Sequence, residues 1–169
     1  MDQSTRAELQ RKITFLSQPG SYPEGTSAVQ AVQTHMSCVF LTDVHADKLK
    51  KPVRTQFLDF STVEARWFDG QEELRLNRRL APDVYLHLVA LTDARGTGLR
   101  LSPDGSAVDW RVHMRRLPHE RMLDRAIRAG HVADEDVLRI AGTLARFRRY
   151  AHDASLDEPA RRPEARPED

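Results

Sequence analysis

"SCVFLTDVHADKLKKPV", Ser37 to Val53, is the stretch whose reading decides the fold. Two runs with strand-forming composition, Ser37–Thr42 and His45–Val53, flank Asp43-Val44, and Pro52 closes the second, so the segment reads as two strands joined by a tight connection. The period of two places Ala46, Lys48 and Lys50 on one face of the second strand and Asp47, Leu49 and Lys51 on the other. The chain has four lysines, at 12, 48, 50 and 51, within a total of 26 Lys plus Arg. Three of the four therefore cluster here, in a sequence that otherwise uses arginine.

Outward from this pair, the period changes. Upstream, Thr5 and Glu8 have capping-box spacing ahead of Leu9, Ile13 and Leu16, which predicts an amphipathic helix stopped by Pro19-Gly20. "TSAVQAVQ" reads as a brief second helix with Val29 and Val32 inward. Downstream, Ser61 and Glu64 repeat the capping box, and Val63, Trp67 and Leu74 mark one face of a long helix running to Leu80 before Pro82. Alternation returns in "VYLHLVALT", "GLRLS" and, after the turn "PDGS", "AVDWRVHMRR". In the last, Val108, Trp110, Val112 and Met114 face one way and Asp109, Arg111, His113 and Arg115 the other, which predicts an antiparallel meander. Leu117-Pro118 breaks it. A helix with Met122, Leu123 and Ile127 ends at Gly130, and another carries Val137, Ile140, Leu144 and Phe147. "DEPARRPEARPED" is charged and proline-rich without apolar anchors, so a disordered tail is expected. Links between most strands are too short for parallel crossovers, so the expected class is α+β with about five mainly antiparallel strands and one long helix.

The 169 residues suffice for one domain with a core, and 40% hydrophobic with 30% charged residues argues against global disorder. A formal charge of +1 provides no net field for nucleic acid or an anionic membrane, so any basic site is local. The single cysteine, Cys38, excludes an intrachain disulfide and reads as a small core side chain. With no signal-peptide pattern at the start and no apolar run of about 18 residues, a soluble cytoplasmic protein without membrane partner is expected. No two of the seven histidines stand at i, i+3 or i, i+4, so no helical zinc site is expected. His113 reads as a surface or hinge-side residue, Trp67 and Trp110 as core. The Arg78-Arg79, Arg115-Arg116 and Arg148-Arg149 pairs read as solvated faces, which makes nucleic-acid binding the least supported function.

A small residue under a base and a lysine two positions on, gripping phosphates and held by a helix carboxylate, is the arrangement of a kinase-type nucleotide site, and Ala46-Asp47-Lys48 has it. Lysine's compact charge reaches between phosphate oxygens where arginine's planar fork fixes another geometry. The long helix offers Glu72 and Glu73 as partners, with Glu73 preferred because it falls near Leu76 and Leu80. The same lysines also suit a solvated strand edge that discourages aggregation.

The sequence "THMSCVFLT…KLKKPV…FLDFSTVEAR…EELRLNRRLAPDVYL…DWRVHMRRLP" resembles, in consecutive order, the amino-terminal lobe of aminoglycoside phosphotransferase-like bacterial enzymes, with the likeness extending over roughly Tyr22 to Ala151. That resemblance implies a protein-kinase-like fold that binds ATP and passes its phosphate to a small-molecule hydroxyl. It divides the chain into an N-terminal helix (1–21), the lobe (22–118), helices beginning a second lobe (119–152) and a disordered tail (153–169). It implies that Lys48, with Lys50 on its face, grips phosphate and that Glu73 holds Lys48. It places Ala46 against the base, Thr34 to Ser37, with Thr34, His35 and Ser37 as contacts, in the loop over the nucleotide, and Met114 to Leu117, with Met114 and Arg115 as contacts, in the hinge beside adenine. Asp47 stands where an aromatic residue is usual, though the strand period turns it away. The glycine expected before this strand is missing from "TDVHAD". No His-x-Asp…Asn loop and no following magnesium aspartate occur, "FDG" (Phe68–Gly70) lies inside the long helix, "RGTGLR" is a hairpin turn, and no Gly-x4-Gly-Lys-Ser/Thr loop is present. The expectation is an ATP-binding lobe truncated before its catalytic loop and inactive alone, with magnesium ligands absent. A second chain or second copy is expected to cover the cleft face, and the alternative is a non-catalytic scaffold without nucleotide.

Overall fold

The computed structural model describes residues 2–93, 98–102 and 106–153, in two compact units, 2–116 and 117–153. In the first unit α1 (Gln3–Leu16) precedes β1 (Gln30–Gln33), β2 (Ser37–Leu41) and β3 (His45–Lys50). Then come α2 (Val63–Asn77), β4 (Tyr85–Asp93), β5 (Leu99–Leu101) and β6 (Ala107–Arg115). The strands form one six-stranded sheet in the order β1-β2-β3-β6-β4-β5, every pairing antiparallel. The α+β class with an antiparallel sheet is thus observed, with one strand more than expected. The second unit contains α3 (Leu123–Arg128), ended by Gly130 at φ +68, and α4 (Asp134–Asp153). No helix among the described residues is long and apolar enough to cross a membrane. The proline-rich tail, the first half of "RGTGLR" (95–97) and the first three residues of "PDGS" (103–105) lie outside the described residues.

The added strand is β1, where a helix was expected from "TSAVQAVQ". All four of its residues are exposed, and its stability comes from backbone pairing with β2, Gln30 opposite Leu41 through Gln33 opposite Cys38. Four exposed residues cannot nucleate a helix unaided, whereas an existing neighbour strand supplies partners at once. The meander also differs from expectation: β5 pairs with β4, but β6 returns along β4's other edge and inserts beside β3. Burial explains that placement, because Asp109, Arg111, Val112 and His113 are all buried and such a strand must lie at the sheet centre.

Helix caps fall one turn or one residue away from the expected boxes. Asp2, not Thr5, caps α1 by accepting from Thr5 N, and Thr62, not Ser61, caps α2 by accepting from Ala65 N. Leu9, Ile13 and Leu16 of α1 close over Cys38, Phe40 and Leu49 to form the apolar core on one sheet face. On the other face α2 packs against β6 and β4. Its inward residues are Arg66, Gly70 and Leu74, while Leu76 and Leu80 are exposed, and the helix stops at Asn77 rather than Leu80. Gly70 permits the close approach: a Cβ there would stand 2.8 Å from Leu88 Cδ2.

Both helices are tied to the sheet at one point. Asp109 lies two residues beyond the last β3–β6 pair, Leu49–Arg111, so its β3 side is open to the helices. Arg66 of α2 clasps it with two hydrogen bonds, Nε to Oδ1 at 2.7 Å and Nη2 to Oδ2 at 3.0 Å. Lys12 of α1 donates to Oδ2 at 2.9 Å, and all three side chains are buried.

Candidate functional site

The lysine face of β3 meets α2 as the period of two requires. Lys48 Nζ donates to Glu73 Oε1 at 2.9 Å, and Lys50 Nζ donates to Glu73 Oε2 at 2.5 Å and pairs with Asp69 Oδ2 at 2.6 Å. Glu73 reaches the sheet because it follows Arg66 and Gly70 at helical spacing on the inward side of α2. Its expected association with Leu76 and Leu80 does not hold, since both are exposed. Glu72 turns along the helix surface to Arg75, Nη2 to Oε2 at 2.8 Å. Burial alone pushes the Glu73 carboxyl up, but the ammonium groups of Lys50 and Lys48 outweigh it and hold the group below its ordinary value.

The two lysines are not equivalent. Lys50 has 6% of its side chain exposed, lies between two carboxylates, and stands 5.7 Å from the Phe60 ring centroid. Lys48 keeps 30% of its side chain exposed while it bonds Glu73. Lys50 therefore holds Glu73 in place, and Lys48 presents its charge outward.

Around Lys48 the sheet supplies a shallow apolar bed. Ala46 sits opposite Met114 on β6 and opposite Leu41 on β2, and Tyr85 is opposite Met114 on the far side. Arg115 ends β6 opposite His45 and donates its backbone N–H to Val84 O at 2.9 Å. Thr34, His35 and Ser37 lie at the β1–β2 hairpin, at the Lys50 end of β3, since Ser37 pairs with Lys50. The Thr34 and Ser37 hydroxyls bond each other at 3.0 Å and Ser37 is buried, so these side chains lock the turn. His35 is exposed. The structure thus brings Ala46, Lys48, Lys50, Glu73 and Met114 onto one sheet face, with Thr34, His35 and Ser37 at one end and Arg115 at the other.

Asp47 faces the opposite side, as the period demands, and is fully buried. There it accepts from His113 Nδ1 at 2.7 Å and pairs with Arg111 Nη1. His113 is therefore buried rather than a surface or hinge-side residue. Asp69, read only as part of a reversed look-alike motif, and the Lys12–Asp109–Arg66 tie also escaped the sequence reading. The signal for the buried group was the charge alternation Asp109-Arg111-His113 on β6 facing an acidic position on β3, which needs the strand register to be recognised.

No family model and no solved structure matches the chain. It is similar to three mycobacterial proteins described only as uncharacterized, two from strains of Mycobacterium tuberculosis and one from Mycobacterium bovis. Each is 36% identical over 119 residues, covering 70% of this chain and 22% of the relative. The chain thus spans about a fifth of the length of the curated relatives it matches.

Proposed function

We propose that the first unit is the ATP-binding lobe of an aminoglycoside-phosphotransferase-like small-molecule kinase. The observation that carries this reading is the Lys48–Glu73 ion pair, 2.9 Å long, between a sheet strand and the helix packed on it. In this reading Lys48 grips the phosphates while Glu73, anchored from behind by Lys50, keeps the ammonium on station. Ala46 and Met114 form the surface for the adenine ring, small and flexible side chains that let a planar base lie against the sheet. In this reading the negative charge of a triphosphate replaces part of the carboxylate contact at Lys48. Magnesium ligands and the general base of the kinase pattern do not occur in this sequence, so phosphoryl transfer by this chain alone is not expected.

Titration calorimetry with magnesium-ATP tests the proposal. Saturable binding by the wild type, weakened at least about tenfold by Lys48→Ala, supports it; charge-assisted contacts of about 1.5–3 kcal/mol set that scale. Absence of binding to the wild-type chain rejects it.

One observation favours a second reading, a non-catalytic scaffold: Lys50, Thr34 and Ser37 are already engaged in internal bonds, leaving Lys48 as the principal outward-facing cation of the group. A partner chain or second copy is part of either reading. The second unit exposes Leu117, Met122, Leu123, Ile127, Val137, Leu138, Ile140 and Leu144, an apolar surface that association would cover.

A further inference from the structure

On the sheet face opposite the lysines, Glu24, His45 and His113 each offer one metal-ligating atom within 4.8 Å of the other two. They come from three places in the chain: Glu24 from the loop after the 3-10 turn Pro19–Ser21, His45 from the start of β3, and His113 from β6. We propose that these residues form a binding site for a divalent transition metal, with Zn2+ the best fit to a His2Glu donor set.

The first argument is the tautomer of His113. Its Nδ1 lies 2.7 Å from Asp47 Oδ1, and a carboxylate only accepts, so Nδ1 carries the proton and the lone pair is on Nε2. A buried carboxylate that fixes ring and tautomer in this way is the usual companion of a metal-binding histidine. The second argument is His45. Its Nδ1 is buried and has no hydrogen-bond partner among the described residues. It stands 3.6 Å from Glu24 Oε1, too far for a hydrogen bond but near the ~3.3 Å edge of a tetrahedron with metal–ligand bonds of about 2.0 Å. The His45 and His113 rings are 4.3 Å apart between centroids, and a ligand atom of each lies within 4.8 Å of the other and of Glu24.

Charge allows it. Asp47 offsets the guanidinium of Arg111, while the carboxylate of Glu24 stands beside His45 and is available to a cation. A bound ion would pin the loop carrying Glu24 to the central strands, on the side away from Lys48, so this inference stands apart from the nucleotide reading.

The test uses the full chain and Zn2+ alone. Calorimetry is expected to show one saturable site, and Zn2+ to raise the thermal midpoint, because a ligand that binds the folded state stabilises it by mass action. His45→Gln and Glu24→Gln should each weaken binding by more than about tenfold and abolish the midpoint shift, with an unchanged far-UV spectrum. His131→Ala, in the second unit, should bind as wild type. His113 is left intact because its removal would strip Asp47 of a buried partner. A flat wild-type isotherm, or full-affinity binding by the His45 and Glu24 variants, overturns the proposal.

Discussion

Glu73 holds two ammonium groups with two oxygens, and that economy makes it the most consequential carboxylate of the lysine face. Its pKa is lowered in the folded chain, because Lys50 and Lys48 outweigh the opposing effect of burial. The sign of the linkage follows. A carboxyl with a depressed folded pKa contributes stability that is fully present above its ordinary value of 4.5 and is lost as pH falls through the folded value. Glu73→Gln should therefore cost about 3 kcal/mol at neutral pH, since it leaves Lys50 buried with one charged partner fewer. In urea unfolding the gap between wild type and variant should narrow once pH drops below 4.5. Glu73 is legible from the sequence as the partner of Lys48, but not through the apolar residues near it. Apolar Leu76 and Leu80 suggested the inward face, whereas the helix is turned so that Gly70, the residue without a side chain, meets the sheet. A hydrophobic pattern cannot reveal a contact made by the absence of a side chain.

At the level of elements, the tie at Asp109 joins a helix on each face of the sheet to its central strand. Asp109→Asn removes one charge and strands two buried cations, Lys12 and Arg66, so a loss of about 3–5 kcal/mol is expected in chemical denaturation. Adding Lys12→Met should recover part of it, because an uncharged side chain no longer needs the carboxylate. The lysine strand, its partner β2 and the long helix were readable because each carries its own period and stop signal. The place of β6 was not. Its polar positions, Asp109, Arg111 and His113, look like a solvated face in one dimension, and only pairing with β3 shows that Asp47, Arg111 and His113 neutralise one another inside. β1 was missed for a related reason: four exposed residues carry no burial pattern, and only the edge of β2 makes them a strand.

Across the whole molecule, the two units differ in how they treat apolar side chains. In the first, Leu9, Ile13, Leu16, Phe40 and Leu49 are enclosed, while the second leaves most of its large apolar residues open. Sedimentation velocity over a range of concentrations should show self-association at tens of micromolar, and Ile140→Glu with Leu144→Glu should abolish it; a concentration-independent monomer would exclude a second copy as the covering partner. The boundary between these behaviours falls after Arg116, whose backbone N–H still bonds Val44 O at 2.9 Å. Inside the first unit lies the chain's one sulfhydryl, Cys38, fully buried, on a strand flanked by Gln33 of β1 and Leu49 of β3. Burial raises its pKa, which holds it as the unreactive thiol while the fold is closed. Reagents that modify thiols thus meet it when the layer formed by α1 lifts away, and the rate at which they consume it is an intrinsic clock for that opening, installed without any probe.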